Sequence, residues 1–263
     1  MTDPAAKPPA PARPAATVLL LRDAPEGMEI FMVVRHQQIE FASGALVFPG
    51  GRVEEDDVAI AAAVAPDLPN AHFRIAGIRE TFEECGVLLA HDEAGRLVGA
   101  ERLLAIEAAH RQALCAGTKP FTEVLLAERL SPIPQAMLPF AHWITPSDLP
   151  KRFDTHFFLA EAPPDQLAVH DGGESVDSVW IRPVQALAEA EAGARTLLFP
   201  TRKNLERLAR FGSVAEAMAT TRETRPVSVQ PEIVTDAEGK RWLRIPEEAG
   251  YGGPLFPIGL RAM

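Results

Sequence analysis

Residues 77–88 read GIRETFEECGVL, and the rest of the chain can be organised around them. They carry Arg79-Glu80 and then Glu83-Glu84, and Gly86 stands near their end. At 100° per residue, these four charged side chains fall within an arc of roughly 140° on a helix. Ile75, Ile78, Phe82 and Cys85 point the other way, toward a core. Three carboxylates on one helical face repel one another unless something positive sits between them. Two readings stay open on these residues alone. One is a solvated acidic face with an Arg79–Glu83 pair; the other is a set of oxygen ligands for a divalent cation.

Upstream, residues 17–22 (TVLLLR) and 28–35 (MEIFMVVR) are apolar runs separated by a polar turn, which predicts strand, turn, strand. Leu46-Val47-Phe48 is a third short apolar run, and it ends at Pro49-Gly50-Gly51. Proline fixes one backbone angle and glycine permits conformations closed to other residues. The chain therefore turns there, either as an ordinary turn or to bring bare backbone close to a ligand. Residues 54–57 (EEDD) precede a short helix over 58–65, and PDLPN at 66–70 breaks it. The carboxylate helix begins near Ala71 or His72, and Gly86 suits its left-handed stop.

Residues 100–130 read as helical with an interruption at 117–120, and a packing element, lid or subunit contact is the expectation there. His110 and Cys115 within it read as satisfied or exposed side chains rather than metal ligands. Strands are predicted over 137–144, 153–160 and 176–181, with a turn at 145–152. Helices follow from Pro183 to Gly193 and over 201–210, and Ser213 with Glu216 suggests a capping box for another. A hairpin is predicted around 236–239. The fold class is α/β (α+β). A Pro/Ala-rich leader is expected over 1–16, a domain over 17–225 with a helical insertion at about 100–131, and a C-terminal extension packed on it over 226–263.

Composition narrows the function classes. A net charge of -10 argues against general nucleic-acid binding, which neutralises phosphates with Lys and Arg. It leaves room for a phosphorylated small molecule in a locally positive or metal-loaded pocket. No apolar run reaches the length of a membrane span, and two cysteines make no disulfide framework, so a cytoplasmic setting is expected.

Taken together, the glycine turn, the acidic run and the carboxylate helix resemble the signature of the Nudix hydrolases. That signature is Gly, five residues, Glu, seven residues, Arg-Glu, apolar, any residue, Glu-Glu, any residue, Gly, apolar. Gly51 matches its opening, and Arg79, Glu80, Glu83, Glu84, Gly86 and Val87 match its second half. Thr81 takes the apolar position and Asp57 stands for the first Glu. Twenty-one residues, 58–78, fill the seven-residue gap. The resemblance implies a Nudix-type mixed-sheet α/β/α sandwich and hydrolysis of a diphosphate linkage with Mg2+ or Mn2+. It implies Glu80, Glu83 and Glu84 as catalytic metal ligands, the Gly51 carbonyl as a further ligand, and Arg79 as the residue that orients a Glu.

Residues 32–51 also resemble the coenzyme A diphosphatase branch, through Arg35, Gly44 and Phe48-Pro49-Gly50-Gly51. Glu40 replaces that branch's second Arg. HWITP at 142–146 and RFDT at 152–155, with Phe157-Phe158, resemble the peroxisomal acyl-coenzyme A diphosphatase subgroup. The implied substrate is coenzyme A or acyl-coenzyme A, bound through Arg35, Phe48 and Gly50, with Glu174 as an extra carboxylate acting as ligand or base. Arg152 and Asp154 read either as a salt bridge fixing a turn or as substrate contacts. The alternatives are another nucleoside diphosphate such as ADP-ribose or NADH, or a non-catalytic nucleotide-binding protein of the same fold. A homodimer is compatible with all of them.

Overall fold

The computed structural model describes residues 9–35, 44–166, 168 and 175–258. Its first half comprises β1 (Arg13–Ala24), β2 (Gly27–Arg35), β3 (Leu46–Val47), β4 (Gly50–Arg52), α1 (Glu55–Val64) and α2 (Ala71–Cys85). The inserted segment holds β5 (Ala90–His91), α3 (Ala100–Ile106), α4 (Gln112–Cys115), α5 (Phe121–Glu128) and β6 (Ser131–Pro132). Then come β7 (Leu138–Ile144), β8 (Phe153–Glu161), β9 (Ser175–Ile181), α6 (Pro183–Glu191), α7 (Phe199–Leu208) and α8 (Val214–Glu223). The chain closes with β10 (Ser228–Val229), β11 (Glu232–Thr235), β12 (Arg241–Arg244) and β13 (Leu255–Pro257).

The main sheet is mixed. Its order is β10-β7-β8-β1-β2-β3, with β4 paired to β1 and β9 to β2. β1 runs parallel to β8 and antiparallel to β2 and β4. The centre of β1 is buried without a break from Val18 to Leu21, the pattern of a strand covered on both faces. Successive side chains point to opposite faces. Val18 and Leu20 join Phe31, Ile75, Ile78 and Phe82 in one core beneath α2. Leu19 and Leu21 join Ile30, Leu205, Leu208 and Ala217 in a second core beneath α7 and α8. Two layers of helix around one sheet make the α/β/α sandwich.

β1 begins at Arg13, so the last four residues of the segment read as a leader are part of the sheet. Their side chains suit the position: Ala15 and Ala16 are both buried, and Ala16 lies on the face that α2 crosses. A Cβ on Gly77 of that helix would lie 2.6 Å from the Met137 methyl and 3.1 Å from Val18 Cγ2. Helix and sheet thus approach closely because Gly77 has no side chain. Thr81, at a position expected to be apolar, is buried with its hydroxyl donating to the Gly77 carbonyl at 2.6 Å. The expected capping box at Ser213 is half formed. Ser213 Oγ accepts from the Glu216 N–H, while the Glu216 carboxylate accepts from the Gly212 N–H instead of reaching Ser213. Ile245 and Tyr251, beyond α8, are buried in the second core.

Candidate active site

α2 ends as its sequence predicts, with Gly86 left-handed at φ 69° and its N–H bonded to the Phe82 carbonyl. A helix with one face locked in the core holds its remaining face at fixed spacing. That face presents Glu80, Glu83 and Glu84 to β4, which hydrogen-bonds alongside β1.

Arg79 organises the cluster. Its guanidinium is almost fully buried, with 3% of the side chain exposed. Nε and Nη2 donate to the two carboxylate oxygens of Asp57, each at 3.0 Å. Nη1 donates to Glu80 Oε1 at 3.0 Å and Glu83 Oε1 at 2.7 Å, and Nη2 also donates to the Arg52 carbonyl at 2.7 Å. The Asp57 carboxylate further accepts from the Glu54 N–H at 2.8 Å, at the start of α1. Asp57 is therefore the anchor of Arg79 and the N-terminal brace of α1, with both its oxygens engaged. The long segment after it is absorbed by α1, the turn at 66–70 and the first turns of α2.

The electrostatics are unbalanced. Three carboxylates, on Asp57, Glu80 and Glu83, surround one guanidinium. Burial pushes the Glu80 carboxyl up to about 8, Arg79 opposes the shift and Glu83 reinforces it. Burial raises Glu83 and Asp57 as well, outweighing their bonds to Arg79. Arg79 itself is held charged: burial disfavours its cation, but the Asp57 bond and the attraction of Glu80 prevail. The site has more negative charge than its own residues neutralise, and the donors are carboxylate and carbonyl oxygens. That is the donor chemistry of Mg2+ or Mn2+, so the residues present fit such a cation.

Two glycines make the approach of β4 to α2 feasible. A Cβ on Gly51 would lie 2.3 Å from Glu80 Oε1. Gly50 has φ +152°, and a Cβ there would lie 2.3 Å from the Ala16 carbonyl. The Gly50 N–H donates to Glu84 Oε2 at 2.9 Å. The expectation of a free Gly51 carbonyl needs correction. The bonds Val18 N–H to Pro49 O and Val53 N–H to Pro14 O flank the Ala16–Gly51 pair in the same register. Alternation along an antiparallel ladder makes Ala16–Gly51 a hydrogen-bonded pair and turns Gly50's own N–H and carbonyl away from β1. Gly50 thus belongs with the carboxylates rather than with a substrate pocket.

Phe48 is a second correction. Its side chain is buried in the core beneath α7 and α8, on the far face of the sheet, and offers no surface to a ligand. Arg152 and Asp154 do not pair with each other. Arg152 donates to the carbonyls of Thr145 at 3.1 Å and Ala10 at 2.7 Å, so its fork is taken by backbone, and Asp154 bonds His142. Arg35 ends β2 opposite Ser175. Glu174 and Glu40 lie outside the described residues. A contact that no motif announced comes from the insertion. Arg111 Nε donates to the Glu83 carbonyl at 3.0 Å, placing a cation at the C-terminal end of α2.

Comparison with known proteins agrees with this geometry. A model described as the NUDT19 Nudix domain matches residues 60–208, more than half the chain. This chain belongs to the Nudix hydrolase family. Among Nudix proteins, it is 25% identical over 236 residues to "Acyl-coenzyme A diphosphatase NUDT19" of Xenopus laevis, covering 72% of this chain and 61% of that protein. It is 27% identical over 262 residues to the protein of the same description from Gallus gallus, covering 77% and 69%. A crystal structure of a Nudix hydrolase from Alicyclobacillus acidocaldarius superposes with a TM-score of 0.68 at 25% identity, over 80% of this chain and 96% of that one. The chain thus spans less than two thirds of the frog protein's length. No helix among the described residues is long and apolar enough to cross a membrane.

Proposed function

We propose that this Nudix protein hydrolyses the diphosphate linkage of a nucleoside diphosphate derivative. The proposed substrate is coenzyme A or an acyl-coenzyme A, giving 3′,5′-ADP and phosphopantetheine or its acyl form. The observation that carries the reaction class is the set of buried carboxylates that one guanidinium leaves undercompensated, facing a glycine strand.

In this reading Glu80, Glu83 and Glu84 would hold Mg2+ or Mn2+, with the Gly50 carbonyl as the backbone oxygen available beside them. A bound divalent cation supplies Lewis acidity toward a phosphoryl oxygen and makes a water easier to deprotonate. The chain's own residues do the positioning. Arg79 fixes the rotamers of Glu80 and Glu83 through charge-assisted bonds. Gly50 N–H holds Glu84 toward β4. Asp57 keeps the guanidinium itself in place. Arg35 is assigned to substrate phosphate, and Glu174 to the role of a further carboxylate, ligand or base. The inserted helices 100–131 are proposed as part of one domain over 17–225, with 226–263 as an extension against it. Support for the substrate comes from relatives named acyl-coenzyme A diphosphatases and from the sequence segments resembling that subgroup.

A substrate panel with product identification tests this. Purified protein with Mg2+ or Mn2+ is expected to release 3′,5′-ADP from coenzyme A or its thioesters, and Glu84→Gln is expected to abolish the release. Turnover of ADP-ribose or NADH alone would overturn the substrate but keep the reaction. Tight nucleotide binding with no turnover of any member, and no effect of Glu84→Gln, would favour a binding protein.

A further inference from the structure

A second group of ligand-type side chains lies on the same sheet face, at the other end of α2. His142 on β7 and His156 on β8 are register partners, and Asp154 is two residues before His156 on the same face of β8. One ligand atom from each of the three lies within 4.8 Å of the others. The two imidazoles stack with centroids 4.1 Å apart, and His156 packs tilted against Phe73 at 4.0 Å. Phe73 and Glu80 are seven residues apart, about 10 Å along a helix, so the group is separate from the carboxylate cluster.

Two features distinguish this group from packed core histidines. Among the described residues, no hydrogen-bond partner reaches the His156 ring, although it is partly buried. His142, by contrast, is held at both ends. Nε2 lies 2.5 Å from Asp154 Oδ1 and Nδ1 lies 2.6 Å from Ser228 Oγ. A serine hydroxyl can donate or accept. The Ser228 contact therefore survives if the imidazole proton moves from Nε2 to Nδ1, freeing Nε2 to ligate. A ligand histidine whose second nitrogen is fixed by a polar partner is the usual arrangement at metal sites.

We propose that His142, Asp154 and His156 form a second metal site, selective for a borderline cation such as Zn2+. Two imidazoles and one carboxylate suit Zn2+, whereas Mg2+ and Mn2+ prefer all-oxygen sets. The site would join β7 to β8, with Ser228 bringing in β10 at the edge of the sheet.

The test uses the full chain with Mg2+ in excess, so that the carboxylate cluster does not report Zn2+. Competition with a chromophoric chelator is expected to show one Zn2+ per chain. His156→Phe keeps the aromatic stack but removes the donor nitrogen. It should weaken Zn2+ by at least about tenfold, while Mg2+-dependent hydrolysis and zinc-free melting stay unchanged. Asp154→Asn decides the matter if His156→Phe folds poorly. The visible spectrum of added Co2+ should change with either variant. Absence of Zn2+ binding to the wild type, or equal binding to both variants, would overturn the site. Loss of hydrolysis on the substrate panel bears on the active-site reading and leaves this one standing.

Discussion

Replacing Arg79 with Ala removes the group on which the proposed active site is assembled. The side chain makes five hydrogen bonds, four of them to carboxylates. Its removal leaves Asp57, with none of its side chain exposed, and the mostly buried Glu80 and Glu83 without a cation. Removing one partner of a buried ion pair costs about 3–5 kcal/mol, because the remaining charge is stranded. Protonation of the raised carboxyls relieves part of that cost, so the lower half of the range is expected near pH 6. For a chain of this size, each kcal/mol lowers the melting temperature by about 2–4 °C, which gives a fall of roughly 6–20 °C. Differential scanning fluorimetry with and without Mg2+ measures it. A cation held by Glu80 and Glu83 would neutralise those two, whereas Asp57 is partnered by the guanidinium and the Glu54 N–H, so Mg2+ should recover part of the loss and not all. Arg79→Lys keeps the charge but loses the fork, and should fall between. A shift no larger than that of an exposed substitution, about 0.5 kcal/mol, would refute the hub. So would full recovery by Mg2+, because Asp57 would then not depend on the guanidinium.

Other consequences are equally direct. Gly51→Ala puts a Cβ into the Glu80 carboxylate, and a displacement near 1 Å should lower kcat by about 100-fold or more; an unchanged kcat would contradict the close approach of β4. Glu80 is raised to about 8 in the folded protein, above its unfolded value, so its stabilising contribution is complete below the ordinary carboxylate range. That contribution is lost as pH rises toward 8. Urea titrations of the metal-free protein should show that decline, and Glu80→Gln should flatten it. Mg2+ binding at pH 7 should release protons, read by calorimetry in buffers of different ionisation enthalpy. Phe48→Leu should lower stability by about 1 kcal/mol and leave KM unchanged; a raised KM would restore Phe48 to the substrate pocket.

The fold was largely legible because its signals are local. Continuous apolar runs split by a polar turn marked β1 and β2, proline and glycine marked the ends of α2 and α6, and one charged face on α2 marked the cluster. What escaped depended on tertiary direction. The string Pro49-Gly50-Gly51 says that backbone comes close to something. Only the register against Ala16 and Thr17 tells which glycine turns toward the carboxylates. Phe48 belongs to the segment that resembles the coenzyme A diphosphatase branch, yet alternation along the chain sends its ring to the opposite core. Asp57 could not be placed by counting, since the segment after it is three times the expected length. Its partner Arg79 is twenty-two positions away and is found only through the folding of α1 onto α2. Arg111 had no sequence signal, because a helix of the insertion meets α2 through side chains that resemble any solvated pair.

That last contact ties the insertion to the carboxylate helix in a way that deletion tolerance would expose. Residues 107–111 are wound as a π-helix between α3 and α4, a turn with one residue more than its neighbours. The extra residue sets the angular phase at which Arg111 leaves the helix and meets the Glu83 carbonyl. On the other side, Gly86 leaves no room for a side chain, since a Cβ would lie 2.1 Å from Glu107 Oε1. Shortening the segment by one residue would advance everything after it by about 100° and swing the guanidinium off its acceptor. Length in this region is therefore under the same constraint as residue identity, and a chain trimmed here would keep its carboxylates while losing the clamp that holds their helix at its end.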